Sequence, residues 1–226
     1  MISGGCQPRR ILELDRVDAA GPFAGGPRAG DDGRVDDEVV RLARPRPGHF
    51  DLGTGYHGDV WLDLDALFLR PAALQPYVQV LADRLRGHQP DAVCGPLEGG
   101  AFLAQAIAAE LGAAFLPAAR GPGPQPGTAT SYLLPRVPGG ISGWRVAIAD
   151  DAVNAGTAVR ACAALLRGRG AVPVAVAALI FLGPASAAVA QDIAVPFYAV
   201  GALHSQAWPA GQCPLCAAGL PRASPG

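Results

Sequence analysis

Two adjacent acids, Asp150 and Asp151, stand where an apolar run, Arg145-Val-Ala-Ile-Ala, ends. The small residues Asn154, Ala155, Gly156, Thr157 and Ala158 follow, and then a segment of helical periodicity that begins near Arg160 and runs to about Arg169. A strand, an acid pair, a small loop and a helix start make a site for a phosphorylated sugar. The loop lets a phosphate touch backbone N–H groups, and a helix N-terminus offers unpaired donors and a positive dipole end. Carboxylates at the end of the strand can hold ribose hydroxyls, or a metal through water. An ordinary strand-to-helix turn with a solvated acid pair is the competing reading. A second small loop, Gly95-Pro96-Leu97-Glu98-Gly99-Gly100, follows another short apolar segment. Together the two loops suggest a ligand with two phosphate groups and a sugar between them. Neither is a Walker loop, and no Gly-x-Gly-x-x-Gly follows a strand, which argues against a nucleoside triphosphatase and a dinucleotide domain.

Other candidate groups are weaker. Asp63 and Asp65 alternate like a metal pair, but a solvent-facing edge of a strand over Val60–Leu64 is the simpler expectation. His49 and His57 flank a Gly-rich turn and are given no catalytic role. Cys213 and Cys216 have metal-ligand spacing, yet a structural zinc needs four ligands and the chain holds no second cysteine pair. His204 could add one ligand, and two chains of a dimer could complete a site. A terminal turn whose cysteines pack or lie exposed is the expectation, and no metal ligand is assigned.

The positioning elements follow from periodicity. A short helix is expected over Asp36–Ala43, stopped by Arg44-Pro-Arg-Pro-Gly. A hairpin follows around the Gly-rich turn. Pro71 opens a helix to Arg86 with Leu74, Tyr77, Val78, Leu81 and Leu85 on one face. Strands are expected at Asp91–Gly95, Ala114–Ala119, the Arg145 run, Val172–Leu182 and Pro196–Gly201. Helices are expected at Gly99–Leu111, with Phe102, Leu103, Ile107 and Leu111 inward, and at Pro184–Gln191. This alternation implies an α/β fold with a parallel sheet, whose ligands sit at the carboxyl ends of the strands. Ser131–Leu134 could add a short strand. Residues 1–34 read as disordered or loosely attached, and Arg120–Thr130, rich in Gly and Pro, as a mobile loop.

The 226 residues bound the chain to one ordinary domain with tails, and half of them are hydrophobic, enough for a full core. A net charge of −1, with no lysine anywhere, gives no case for nucleic acid or an anionic membrane as partner. No signal core or spanning segment is visible, so a soluble cytoplasmic protein is expected, and the five cysteines suit reduced thiols.

Val146-Ala-Ile-Ala-Asp-Asp-Ala-Val-Asn-Ala-Gly-Thr-Ala resembles the phosphoribosyl pyrophosphate signature of the type I phosphoribosyltransferases. The form Ala155-Gly-Thr-Ala-Val-Arg160 and the segment Phe50-Asp-Leu-Gly-Thr-Gly-Tyr-His-Gly resemble the orotate branch of that family. The resemblance covers about residues 36–201. It implies a transferase domain over 35–203 with a small N-terminal hood at about 44–69, a C-terminal tail over 204–226, and a homodimer in the cytoplasm. It implies phosphoribosyl pyrophosphate and a base as small-molecule substrates, with Mg²⁺ as cofactor, and orotidine 5′-phosphate and pyrophosphate as products when the base is orotate. Asp150 and Asp151 would then hold the ribose hydroxyls and favour a cationic sugar. Residues Asn154 to Ala158 would bind the 5-phosphate, Gly95 to Gly100 would cradle pyrophosphate, Arg160 would pair with the carboxylate of the base, and Trp61 would stack on it. The chain departs from the family at four places, the mildest being Asn154 where the family's loop has its first Thr. Gly53 stands where the family has lysine, Tyr56 where it has arginine, and the catalytic-loop region carries only Arg120 in place of a lysine. A protein that binds phosphoribosyl pyrophosphate to regulate something else, and a transferase for another base, therefore stay open.

Overall fold

The computed structural model describes residues 34–52, 55–97, 99–121, 131–183 and 185–224. The expected disordered segment up to residue 33, most of the expected mobile loop (122–130), Gly53 and Glu98 lie outside them. In chain order the elements are α1 (Arg34–Leu42), β1 (Arg46–Asp51), β2 (Tyr56–Trp61), α2 (Asp65–Phe68), α3 (Pro71–Arg86), β3 (Ala92–Pro96), α4 (Gly99–Leu111), β4 (Ala114–Arg120) and β5 (Tyr132–Leu133). They continue with β6 (Arg145–Val153), α5 (Thr157–Gly168), β7 (Val172–Leu182), α6 (Ala185–Ile193), β8 (Phe197–Leu203), β9 (Ala207–Pro209) and α7 (Pro214–Ala217).

Six strands form the main sheet in the order β5-β4-β3-β6-β7-β8. All neighbours are parallel except the short edge pair β4–β5. Parallel strands are buried on both faces, which is why β7 reads as an unbroken apolar run. Its side chains alternate between two cores. Ala175, Ala177 and Leu179 pack with α1, α3 and α4 through Val39, Leu81, Leu85, Leu103 and Ile107. Val176 and Ala178 pack on the other face with Val159, Cys162 and Leu166 of α5. Alanines in the sheet let these helices approach closely.

Three expectations need correction. Phe102 is not inward: it is 60% exposed and lies against Phe68, while α4 buries Leu103, Ala104, Ile107 and Ala108. The strand expected at Val60–Leu64 begins earlier, at Tyr56, and stops at Trp61. Asp63 is therefore not a strand-edge residue; its carboxylate accepts the Ala66 N–H at the start of α2, 3.3 Å away. The C-terminal segment is not a bare turn. β9 pairs antiparallel with β2, giving a second, three-stranded sheet in the order β1-β2-β9. This hood is joined to the segment after β8 by reciprocal bonds between Asp59 and Gln206.

Candidate active site

Both sequence-predicted loops end on one edge. β3 and β6 are parallel neighbours, with Cys94 beside Ile148, so the end of β3, the start of α4 and the Asp150–Ala158 stretch lie side by side. The acids and the glycines touch. A Cβ on Gly99 would collide with the Asp151 carboxylate, and one on Gly100 would lie 2.5 Å from Asp150 Oδ1. One on Gly95 would strike the Gly100 carbonyl. Three glycines therefore bring backbone and carboxylates to a distance that side chains would forbid.

The carboxylates are held from their own strand. The Asp151 N–H donates to Asp150 Oδ1 at 3.1 Å, and the Ala152 N–H donates to Asp151 Oδ1 at 2.7 Å. Asp150 is buried, with 7% of its surface exposed. Burial, and then the neighbouring Asp151 carboxylate, hold its carboxyl well above the usual range. A cationic group placed against the pair would relieve both effects.

Gly156 precedes α5 in the left-handed region, φ 70°, where a Cβ would also collide with Val189. That turn and the first residues of α5 border a cavity of about 650 Å³. Asp150 and residues Asn154 to Ala158 line it on one side. Leu52, Tyr56 and Trp208, from the hood strands and their turn, line it on the other. Such a cavity sits where parallel sheets bind ligands.

The sequence and the fold match known proteins. The model of the phosphoribosyl transferase domain family matches residues 71–198, more than half of the chain. The chain belongs to the type I phosphoribosyltransferase family. An orotate phosphoribosyltransferase of Caldanaerobacter subterraneus is 29% identical over 79% of this chain and 88% of its own. One of Thermotoga maritima is 30% identical over 79% and 90%. Among solved structures, an adenine phosphoribosyltransferase of Thermoanaerobacter pseudethanolicus superposes with a TM-score of 0.59 at 22% identity, covering 74% of this chain and 99% of that one. The orotate phosphoribosyltransferase of Aeropyrum pernix gives 0.56 at 20% identity, covering 73% and 92%. These structures share the fold. The chain is thus a transferase of glycosyltransferase type. Among its described residues no helix is long and apolar enough to cross a membrane.

Within the transferase the remaining expected residues fall elsewhere. Trp61 packs on Phe50, ring centroids 6.0 Å apart, and lines an adjoining chamber beside Arg44 and Arg46 rather than the cavity over the acids. Arg160 is turned away as well. Its guanidinium donates to Asp192 at 2.6 and 2.9 Å and to the Ala155 carbonyl, and it does not line the cavity. α5 places it one turn in, on the side that faces α6. Arg120 ends β4 at the same sheet edge, bordering the undescribed loop. Cys94, Cys162, Cys213 and Cys216 form no disulfide. The aromatic lining by Tyr56 and Trp208 was missed in the sequence. Tyr56 stands at the position of a family arginine, and Trp208 lies in a segment that reads as a tail; its one signal is a lone large aromatic amid Pro, Gly and Ala.

Proposed function

We propose that the transferase joins phosphoribosyl pyrophosphate to orotate, releasing pyrophosphate. The observation that carries this reading is the contact of the acid pair with the Gly99–Gly100 backbone, one strand from the Asn154–Ala158 loop. A ribose lying across that junction has its 5-phosphate on α5 and its pyrophosphate on α4. As the C1–oxygen bond to pyrophosphate breaks, charge develops on the ring beside Asp150 and Asp151. Two fixed carboxylates stabilise that cation, and the loops align it with the base, which is how catalysis without a nucleophile proceeds. Asn154 to Ala158 would bind the 5-phosphate and Gly95 to Gly100 the pyrophosphate. Mg²⁺ suits the oxygen donors of pyrophosphate and Asp151, which it would bind partly through water. It would neutralise the leaving pyrophosphate. Tyr56 and Trp208 give the base a stacking wall. The sequence relatives named for orotate support that base.

A second reading is favoured by Arg160. An orotate carboxylate would have to displace Asp192 from it, whereas an uncharged base would not. In that reading Arg160 braces the 5-phosphate loop through the Ala155 carbonyl. Pyrophosphate release measured with phosphoribosyl pyrophosphate, Mg²⁺ and each of orotate, adenine, guanine, hypoxanthine and uracil separates the two. Turnover with orotate alone supports the first. Turnover with a base lacking a carboxylate, and none with orotate, replaces it with the second. Binding of phosphoribosyl pyrophosphate without turnover on any base makes the protein a sensor and overturns both.

A further inference from the structure

On the hood, outside the site built around the acid pair, four side chains from two distant segments converge. His49 of β1, His57 of β2, Cys213 just before α7 and Cys216 within it place one donor atom each within 4.8 Å of one another. His49 sits at a register shift of β1 between Pro47 and Phe50, close to the Asp51–His57 pair, and there its ring meets that of His57. The Cys-x-x-Cys turn then sets its two sulfurs one helical turn apart. His49 and His57 are buried at 4% and 6% exposure and Cys213 at 4%.

The distances are those of a coordination shell. His49 Nε2 lies 3.1 Å from His57 Nδ1, 3.5 Å from Cys213 Sγ and 3.6 Å from Cys216 Sγ, and Cys216 Sγ lies 3.2 Å from His57 Nδ1. A tetrahedral zinc, with Zn–N of about 2.0–2.1 Å and Zn–S of about 2.3 Å, spaces its ligands at about 3.3 Å for N···N and about 3.5 Å for N···S. One hydrogen bond at His49 Nε2 leaves most of the cluster unexplained. His49 Nδ1 faces the Leu220 carbonyl at 2.9 Å, a contact that requires the proton on Nδ1. Nε2 of the neutral ring then has one lone pair, yet it faces three heteroatoms. A carbonyl that fixes the tautomer of a ligating histidine is the usual outer support of a zinc site.

We propose that His49, His57, Cys213 and Cys216 hold a structural zinc ion that welds the C-terminal segment to the hood. The chain holds no second cysteine pair, and in this proposal the remaining two ligands are histidines 156 or more residues upstream on a hairpin. His204, the ligand suggested by the sequence, is exposed and outside the group. The closed tetrahedral set leaves no position for a substrate, so the ion is structural. It ties His49 to Cys216 across 167 positions and is reinforced by the Ala223 N–H donating to the His49 carbonyl at 2.7 Å. His57 is flanked by Tyr56 and pairs across the strands with Trp208, so the ion also fixes the aromatic wall of the cavity.

The test is metal content, which is independent of any turnover. Full-length protein purified without added metal or chelator should carry about one zinc per chain by inductively coupled plasma mass spectrometry, as a closed four-ligand site requires. Cys216→Ser and His57→Gln should each lose most of it, while His204→Gln keeps it. Should the ligand variants fail to fold, cobalt(II) added to metal-stripped wild-type protein gives the second readout. Strong tetrahedral d–d bands with a thiolate charge-transfer band, saturating at one ion per chain, support the site. Less than about a tenth of a zinc per wild-type chain together with only a weak octahedral cobalt spectrum overturns it, as does zinc retained in the double variant Cys216→Ser with His57→Gln.

Discussion

The two sheets of this transferase were built by different means. At the carboxyl edge of the six-stranded sheet the residues proposed to hold the phosphoribosyl moiety come from two stretches of the sequence, 95–100 and 150–158. In the three-stranded hood the wall of the same cavity and the His–Cys group are assembled from segments at opposite ends of the chain. A parallel sheet carries its ligand loops where strands hand over to helices, so position in sequence predicts position in the site. An antiparallel hood closed by a C-terminal strand has no such rule, since β9 could have paired anywhere.

The largest expected effect breaks the carboxyl edge. Asp150→Asn removes the charge that meets the cationic sugar and should lower kcat by about 10²–10³-fold, the range for loss of one aligned electrostatic group. Steady-state pyrophosphate release checks this. The same substitution should raise stability. Burial and Asp151 raise the carboxyl of Asp150 in the folded chain, so ionising it costs folding energy. Well below about pH 4, where the carboxyl is protonated folded or unfolded, mutant and wild type should differ least in stability. As pH rises from there through the folded-state value, the wild type loses stability relative to the Asp150→Asn variant, and the gap stays constant above it. Thermal melts of both across pH would show the gap opening, with Tm at neutral pH higher in the mutant by about 2 °C or more. A mutant less stable at neutral pH would show that Asp150 is not a strained catalytic group.

Next comes the junction of loop and acids. Gly99→Ala puts a methyl into the Asp151 carboxylate, which must swing away. We expect kcat/KM for phosphoribosyl pyrophosphate to fall by about 10–100-fold, because misplacement by an ångström suffices for that loss. Circular dichroism should stay unchanged, since α4 tolerates alanine well.

These two substitutions touch the part that was readable. β3, β6, β7, α3, α4 and α5 follow from apolar period and from Pro71, Gly95 and Gly156 as punctuation, and the acids follow from their place at a strand end. Arg160 was legible as a residue but not in its direction. Its pairing with Asp192 depends on α6, 32 positions away, which nothing local encodes. Trp61 and Trp208 illustrate the same limit, since a strand register assigns one aromatic to the side chamber and the other to the cavity. His49 and His57 were invisible as ligands because hairpin spacing, unlike Cys-x-x-Cys, carries no fixed interval.

The hood offers a milder break. Removing the His–Cys ion by chelation should loosen β9 and α7 while the main sheet keeps its two cores. KM for the base should rise by about 3–10-fold through Tyr56 and Trp208, a loss of about 1 kcal/mol, in the range of one stacking contact. KM for phosphoribosyl pyrophosphate should change little. Equal rises in both would mean that the hood and the carboxyl edge are one unit, and the contrast between them would dissolve.

The smallest effect concerns Asp192→Asn. Its ion pair with Arg160 is surface-exposed on both partners, 37% and 57%, so stability should change by less than about 1 kcal/mol. The kinetic consequence depends on what Arg160 is for. If the guanidinium receives an orotate carboxylate, weakening its resident partner removes a competitor, and KM for orotate should fall by about 2–5-fold, that is by no more than one exposed pair is worth. If Arg160 instead braces the 5-phosphate loop, the bond to the Ala155 carbonyl is the one that matters. Relaxing its other anchor should then raise KM for phosphoribosyl pyrophosphate and leave the base untouched. An orotate carboxylate would compete with Asp192 for the Nε and Nη2 edge of the guanidinium, whereas the Ala155 carbonyl is held separately by Nη1. The direction of these two constants in one variant therefore assigns Arg160 to one side of the cavity or the other.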